Sequence, residues 1–207
     1  MVVKSGWQQC ETWAFWRDVA ADGHIVQIYE DDLTLVSSLE NYALTGLKAG
    51  DSVVVIATAE HLAALNAGLR RQGVDLDSLR ACDQIILLDA DETLQKFMVN
   101  GVPDGRYFME TIDPLILRGR KNGRKVRVFG EMVALLWGRG NNRGTIQLEQ
   151  LWNNYFETGR LCLLCGYPKS GFKNDAGAGV MHVCSTYSML VETDAMYPAL
   201  VQYKNVV

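Results

Sequence analysis

Short runs of consecutive apolar, mostly β-branched residues recur along this chain, and each is followed by a stretch patterned for a helix. The clearest run, Ser52–Ala57, follows Gly50-Asp51 and holds five consecutive apolar residues at 53–57 with no alternating polar one. A strand with one face in water alternates apolar and polar side chains. A continuous apolar strand is covered on both faces, as in parallel sheets. The same reading gives strands at 25–29, 84–88, 125–129 and 161–165. Helices are predicted between them: one capped by Asp31 or Asp32 and ending near Gly46–Gly50, and one capped by Thr58 with Leu62, Leu65 and Leu69 on its apolar stripe. Further helices are predicted after Asp89 or Asp91, over 104–118, 131–137 and 145–158, with Pro114 expected to kink or divide the second of these. Segments 180–184, 189–192 and 200–203 read as hairpin material that extends the sheet in antiparallel sense. The fold class is therefore a three-layer α/β domain: a mostly parallel sheet, helices on both faces, and antiparallel strands added near the C-terminus.

Composition agrees. At 207 residues, 48% hydrophobic and 21% charged, the chain can bury one sizeable core and is not of disordered type. No apolar run approaches the roughly 20 residues of a membrane helix, and the first ten residues lack a secretory core. Five widely spread cysteines, an odd number, suit a reducing cytoplasm better than a disulfide framework. Trp7, Trp13, Phe15 and Trp16 mark residues 1–22 as an aromatic-rich helical segment, lying on the domain or serving a dimer or partner; residues 23–207 form the main domain.

Ligands of open α/β sheets sit beyond the carboxyl ends of the strands. Read there, the sequence supplies Tyr29, Glu30 and Asp31; Thr58, Glu60 and His61; Asp89 and Asp91; Glu131 and Met132; and Tyr167. Glu131 leaves a buried strand through Gly130, so it either faces a ligand or caps the helix that follows it. His61 reads as a surface or capping residue unless it joins Glu60 in acid–base work or, with Glu60 and Glu131, holds a metal, and His24 as a fixture of strand entry. Trp137, near the Glu131 end, is the one tryptophan added to the candidate ligand pocket. No two of the three histidines have metal-ligand spacing, and no metal or cofactor is expected. Cys162 and Cys165 lie three apart within a strand, on opposite faces, and are expected to pack in the core. Arg118 to Arg127 holds six basic residues in ten without interleaved aromatics; the net charge of −4 favours a solvated loop over a nucleic-acid contact. The glycine-rich stretch 138–144 follows a helix rather than a strand, which suits a helix–helix loop and not a dinucleotide fingerprint.

Three blocks carry a family resemblance: His24-Ile-Val-Gln-Ile-Tyr-Glu-Asp-Asp with Gly46-Leu-Lys-Ala-Gly-Asp-Ser; Val126-Arg-Val-Phe-Gly-Glu-Met-Val with Leu-Leu-Trp137; and Leu148-Glu-Gln-Leu-Trp-Asn leading to Leu163-Leu-Cys-Gly-Tyr-Pro168. Together they resemble the MEDS domain, the DcmR-type sensory domain of methanogens and methylotrophs found in bacteria and archaea. The resemblance implies a RecA/KaiC-like layout and a module that senses small hydrocarbon-derived ligands and signals to a kinase or transcription regulator. It leaves a homo-oligomer open. In that layout the turn after the first strand would be the phosphate loop, which needs glycines, a lysine and a Ser or Thr. Here it reads Tyr29-Glu30-Asp31-Asp32-Leu33-Thr34, with three carboxylates and neither glycine nor lysine. Each carboxylate within ~5 Å of a triphosphate would cost about 1–4 kcal/mol. The expectation is a sensory module with a degenerate phosphate loop and no catalytic residues; the alternative is a divergent ATPase or hydrolase using the acidic cleft.

Overall fold

In the computed structural model, which describes residues 8–9, 23–158, 161–172, 189–194 and 197–203, the apolar runs become the centre of a single sheet. Its strands are β1 (Gln8–Gln9), β2 (Gly23–Tyr29), β3 (Ser52–Ala57), β4 (Ile85–Asp89), β7 (Val126–Gly130), β8 (Cys162–Pro168), β9 (Met189–Asp194) and β10 (Tyr197–Tyr203), in the order β1-β10-β9-β2-β8-β7-β3-β4. From β9 to β4 every pairing is parallel; β10 runs antiparallel to β9, and β1 antiparallel to β10. The sequence reading made β9 part of an antiparallel extension; it runs parallel to β2 instead, and among the described strands the antiparallel addition begins at β10. A separate two-stranded hairpin joins β5 (Met98–Val99) to β6 (Val102–Pro103).

Helices α1 (Asp32–Lys48), α2 (Ala59–Arg71) and α3 (Leu76–Ala81) cover one face, and α4 (Ala90–Gln95), α5 (Gly105–Gly119), α6 (Met132–Gly138) and α7 (Asn142–Thr158) the other. Two apolar clusters record these layers. Leu35, Leu39 and Tyr42 of α1 and Leu65 and Leu69 of α2 pack on Val53, Val55 and Phe129. Phe108, Ile112 and Ile116 of α5, and Leu148 and Trp152 of α7, pack on Val54, Ile56 and Val128. Adjacent strand residues fall in opposite clusters, as a pleat covered on both faces requires. Cys162 and Cys165 obey the same rule, one buried in each cluster.

The caps follow the sequence signals. Asp31 accepts from the Thr34 N–H, Thr58 Oγ1 from the His61 N–H, and Asp89 from the Glu92 N–H. Pro114 neither ends nor splits α5. The bond it cannot make would reach the carbonyl of Glu110, and both residues lie on the exposed side where water can serve. The basic run is not a free patch: Arg118 and Lys121 both bind Asp83, whose carboxyl they hold down at about 2, and Arg127 is buried against Asp51. The glycine-rich stretch forms the α6–α7 connection, where Asn141 accepts from the Gly144 N–H. The short elements α3 and β5–β6 had no counterpart in the sequence reading. The leading helix over 7–21, apart from Gln8–Gln9, and the strand at 180–184 lie outside the described residues. Among the described residues no helix is long and apolar enough to cross a membrane.

Tyr42 fastens α1 to the middle of the sheet. Its buried hydroxyl donates to the carbonyls of Cys162 (3.0 Å) and Val128 (3.2 Å), on neighbouring strands, and the Arg127 guanidinium lies 5.6 Å from its ring centre. Tyr42→Phe keeps the ring and removes the donor from two buried carbonyls. We expect it to lower stability by about 1–2 kcal/mol, read as a shifted urea midpoint at unchanged slope. A midpoint equal to wild type would show the hydroxyl idle.

Candidate functional site

The carboxyl ends of β2, β3 and β7 bring together residues far apart in sequence. The Glu131 N–H donates to the Ile56 carbonyl at 2.9 Å, prolonging the β3–β7 ladder by one step and fixing where the side chain leaves the sheet. Its carboxylate, in a residue only 4% exposed, does not cap α6. It turns towards α2 and accepts from the Thr58 N–H at 2.9 Å through Oε2 and from His61 Nδ1 at 2.8 Å through Oε1. Of the two roles the sequence offered for Glu131, the helix cap is therefore not the one adopted.

His61 is likewise no surface histidine: it is 8% exposed and wedged between two acids. It occupies the first turn of α2, and helical side chains lean towards the N-terminus, so its ring overhangs the Thr58 cap and meets Glu131. Because a carboxylate only accepts, Nδ1 carries a proton. The other nitrogen, Nε2, points outward and lies 3.6 Å from Asp32 Oδ1 at the start of α1. The hydrogen bond to Glu131 raises this imidazole above its ordinary 6.5; burial opposes the rise, and the charges of Glu131 and Asp32 add to it. Tyr29, buried at the end of β2, senses the same acids: burial first, then the charges of Glu131 and Asp32, push its phenol well above the usual range.

Four of the twelve candidates therefore meet in one cluster, namely Tyr29, Thr58, His61 and Glu131, while Asp89 caps α4 and Asp91 pairs with Arg139. Asp32, which the sequence offered as a helix cap and as part of the acidic turn, completes the cluster. Three candidates stand on the rim: Glu30 is paired with Lys169, Asp31 spends its carboxylate on Thr34, and Glu60 is exposed in the first turn of α2. The remaining three belong to the opposite layer. Met132 is fully buried among the α4–α7 residues, and Trp137 is half-buried against them. Tyr167 follows Gly166, which faces Leu35 of α1; one step along the strand it must face α7, where its hydroxyl donates to the buried Glu149. Glu149 shares that interior with His24, whose Nδ1 binds Asn153 at 2.6 Å while Nε2 lies 3.7 Å from Cys165 and 4.0 Å from Glu149. His24 does tie the start of β2 in place, as expected, and burial lowers its imidazole to about 4. Among the described residues no set of three or more His, Cys, Asp or Glu side chains has the arrangement to hold a metal ion.

The family profile of MEDS, the methanogen/methylotroph, DcmR sensory domain, matches residues 23–186, most of the chain. The chain belongs to the MEDS family. No curated protein matches it. Among solved structures, this MEDS chain is similar to the KaiC-like protein PH0186 of Pyrococcus horikoshii OT3, with a TM-score of 0.57 and 12% identity over 88% of this chain and 80% of that one. A second Pyrococcus horikoshii OT3 protein, PH0250, gives a TM-score of 0.56 at 10% identity, covering 90% and 89% of the two chains. The flagellar accessory protein FlaH of Methanocaldococcus jannaschii gives 0.50 at 12% identity, covering 83% of this chain and 71% of its own. At such identities the likeness establishes the fold alone, a RecA/KaiC-like sheet carrying a MEDS sensory domain.

Proposed function

We propose that this protein is a sensory module that binds a small ligand at the Tyr29–Asp32–His61–Glu131 cluster and passes the bound state to a signalling partner, a kinase or transcription regulator. The observation that carries the reading is the turn between β2 and α1. The N-terminus of α1 is where a RecA-like nucleotide enzyme would seat phosphate, and here Asp31 fills it, accepting from the Thr34 N–H at 2.8 Å and the Thr34 hydroxyl at 3.1 Å. Asp32 stands beside it, and the turn has neither lysine nor glycine. A triphosphate would have to displace one carboxylate and face others, at about 1–4 kcal/mol for each. What remains is a largely buried polar cluster of a tyrosine, an imidazole and two acids, of which Asp32 reaches the surface, suited to hydrogen-bonding a small ligand. The family's description as a methanogen/methylotroph sensory domain supports the sensory role, and the candidate ligand is a hydrocarbon-derived one.

Thermal unfolding of the purified protein tests this. ATP with Mg²⁺ is expected to leave the midpoint unmoved, whereas a short-chain alcohol or a halogenated hydrocarbon raises it; occupancy at a hundred times Kd is worth about 2.7 kcal/mol. Micromolar, Mg²⁺-dependent ATP binding would overturn the reading. A second reading, a hydrolase, draws on one specific feature: a carboxylate orienting an imidazole whose other nitrogen faces the rim is the geometry of a general base. Turnover of a test ester or of ATP that disappears in His61→Gln would favour it over the sensor.

A further inference from the structure

We propose that Asp32, His61 and Glu131 form a protonation latch that fastens the first turn of α1 to the β7–α6 junction and lets go when His61 loses its second proton. The inference stands apart from the ligand reading, since it needs no ligand.

The argument rests on how differently the two acids are held. Glu131 is buried and fixed by two donors, one from the backbone of Thr58, so it cannot follow a moving partner. Asp32 is the opposite: its side chain is 77% exposed, and it reaches His61 across 3.6 Å, an ion-pair distance rather than a tight hydrogen bond. As imidazolium, His61 donates from both nitrogens, towards Glu131 at Nδ1 and towards Asp32 at Nε2. When one proton leaves, Nδ1 keeps its hydrogen, because Glu131 can only accept. Nε2 then presents a lone pair to a carboxylate, and the attraction that held Asp32 becomes a repulsion. The rest of the α1 first turn is secured by local bonds, Asp31 to Thr34 and the Leu35 N–H to the Asp31 carbonyl, while Leu33 is 84% exposed. Losing the Asp32 tie therefore frees that turn without disturbing the core.

Among the described residues, no other cation is paired with Asp32. Tyr29 at the end of β2 stays protonated and neutral through the physiological range. Glu30 is taken by Lys169, and Asp31 by Thr34. Towards the far end of α1, Glu40 pairs with Arg71 of α2. On α2 itself the neighbours are Thr58, which is uncharged, and Glu60, which is exposed to solvent.

Nuclear magnetic resonance on the full chain tests the latch. The His61 ring is followed through a pH titration together with hydrogen exchange at the Thr34 and Leu35 amides, corrected for intrinsic base catalysis. In the wild type, protection of these two amides is expected to fall up to roughly tenfold per pH unit as pH rises through the His61 midpoint. In Asp32→Asn, an exposed and therefore tolerated change, the His61 midpoint moves down and protection becomes independent of pH. His61→Gln gives the same flat profile. If protection in the wild type stays level across the His61 midpoint, or if Asp32→Asn leaves that midpoint in place, the latch does not exist. Should His61→Gln fold poorly, Asp32→Asn alone decides.

Discussion

Glu131→Ala is expected to lower stability by about 3 kcal/mol, the largest effect of any single change at the candidate site. Removing one partner of a buried, hydrogen-bonded charge pair costs about 3–5 kcal/mol, because the other partner is left uncompensated. Here it would leave the Thr58 N–H and His61 Nδ1 without their acceptor. The lower end of the range applies, since Nε2 keeps its ion pair with Asp32 at the rim. Glu131→Gln keeps an acceptor oxygen and loses the charge, so about half that cost follows. The loss also depends on pH. A histidine whose folded-state value is raised adds stability that is fully present below its ordinary 6.5 and disappears as pH rises through the folded value. Both variants should therefore lie furthest below wild type on the acid side of that window and approach it on the alkaline side. Urea unfolding of the three proteins at several pH values reads this directly. Equal midpoints for Glu131→Ala and wild type would mean that the carboxylate is idle, and with it the candidate site.

Much of the architecture was legible because it depends on local chemistry. The run at 52–57 could only be a doubly covered strand, and it became β3 with the same bounds. Asp31, Thr58 and Asp89 announced the helix starts that they cap. What escaped was decided at longer range. Pro114 looked like a break, yet the apolar stripe of Phe108, Ile112 and Ile116 holds α5 together across it and its missing bond falls on the wet side. The direction of β9 is set by its pairing with β2, which no local pattern encodes. Six-residue α3 and the two-residue strands of β5–β6 are too short for periodicity to register.

At the candidate site the sequence placed most residues on the correct edge of the sheet but could not sort them between its two sides. Tyr29, Thr58, His61 and Glu131 gather on the side of α1 and α2, whereas Met132, Trp137 and Tyr167 belong with α4–α7. One signal was available: along β8 the period of two puts Gly166 towards α1 and so Tyr167 away from it. The His61–Glu131 bond spans 70 residues and had no sequence signature beyond the position of His61 three residues after its cap. The same limit hid the buried His24–Asn153 pair, 129 residues apart. Polar contacts of this kind are chosen by topology, after the apolar pattern has fixed which strands are neighbours.

That second buried histidine sets the remaining large effect, opposite in sign to the first. Burial lowers His24 from 6.5 to about 4, with the Asn153 hydrogen bond only partly opposing the fall. The unfolded chain takes up a proton as pH drops through 6.5, and the folded protein refuses it until about 4. Stability is thus fully present above 6.5 and is lost on the way down, by about 3 kcal/mol in total at 1.36 kcal/mol for each pH unit. His61 acts above 6.5 and His24 below it, so the two together place maximum stability near that value, with a decline on either side. Asp83 does not produce the acid decline in this window: held at about 2 by Lys121 and Arg118, it releases its contribution only below the ordinary 3.8 of an aspartate. His24→Gln removes the titrating ring from an interior that still offers Asn153 as a partner. Across a urea series between about pH 4 and 6.5, the wild type should lose stability with a slope approaching one proton, and His24→Gln should run one proton flatter. An unchanged slope in the variant would show that His24 is neither buried nor neutral in the folded protein.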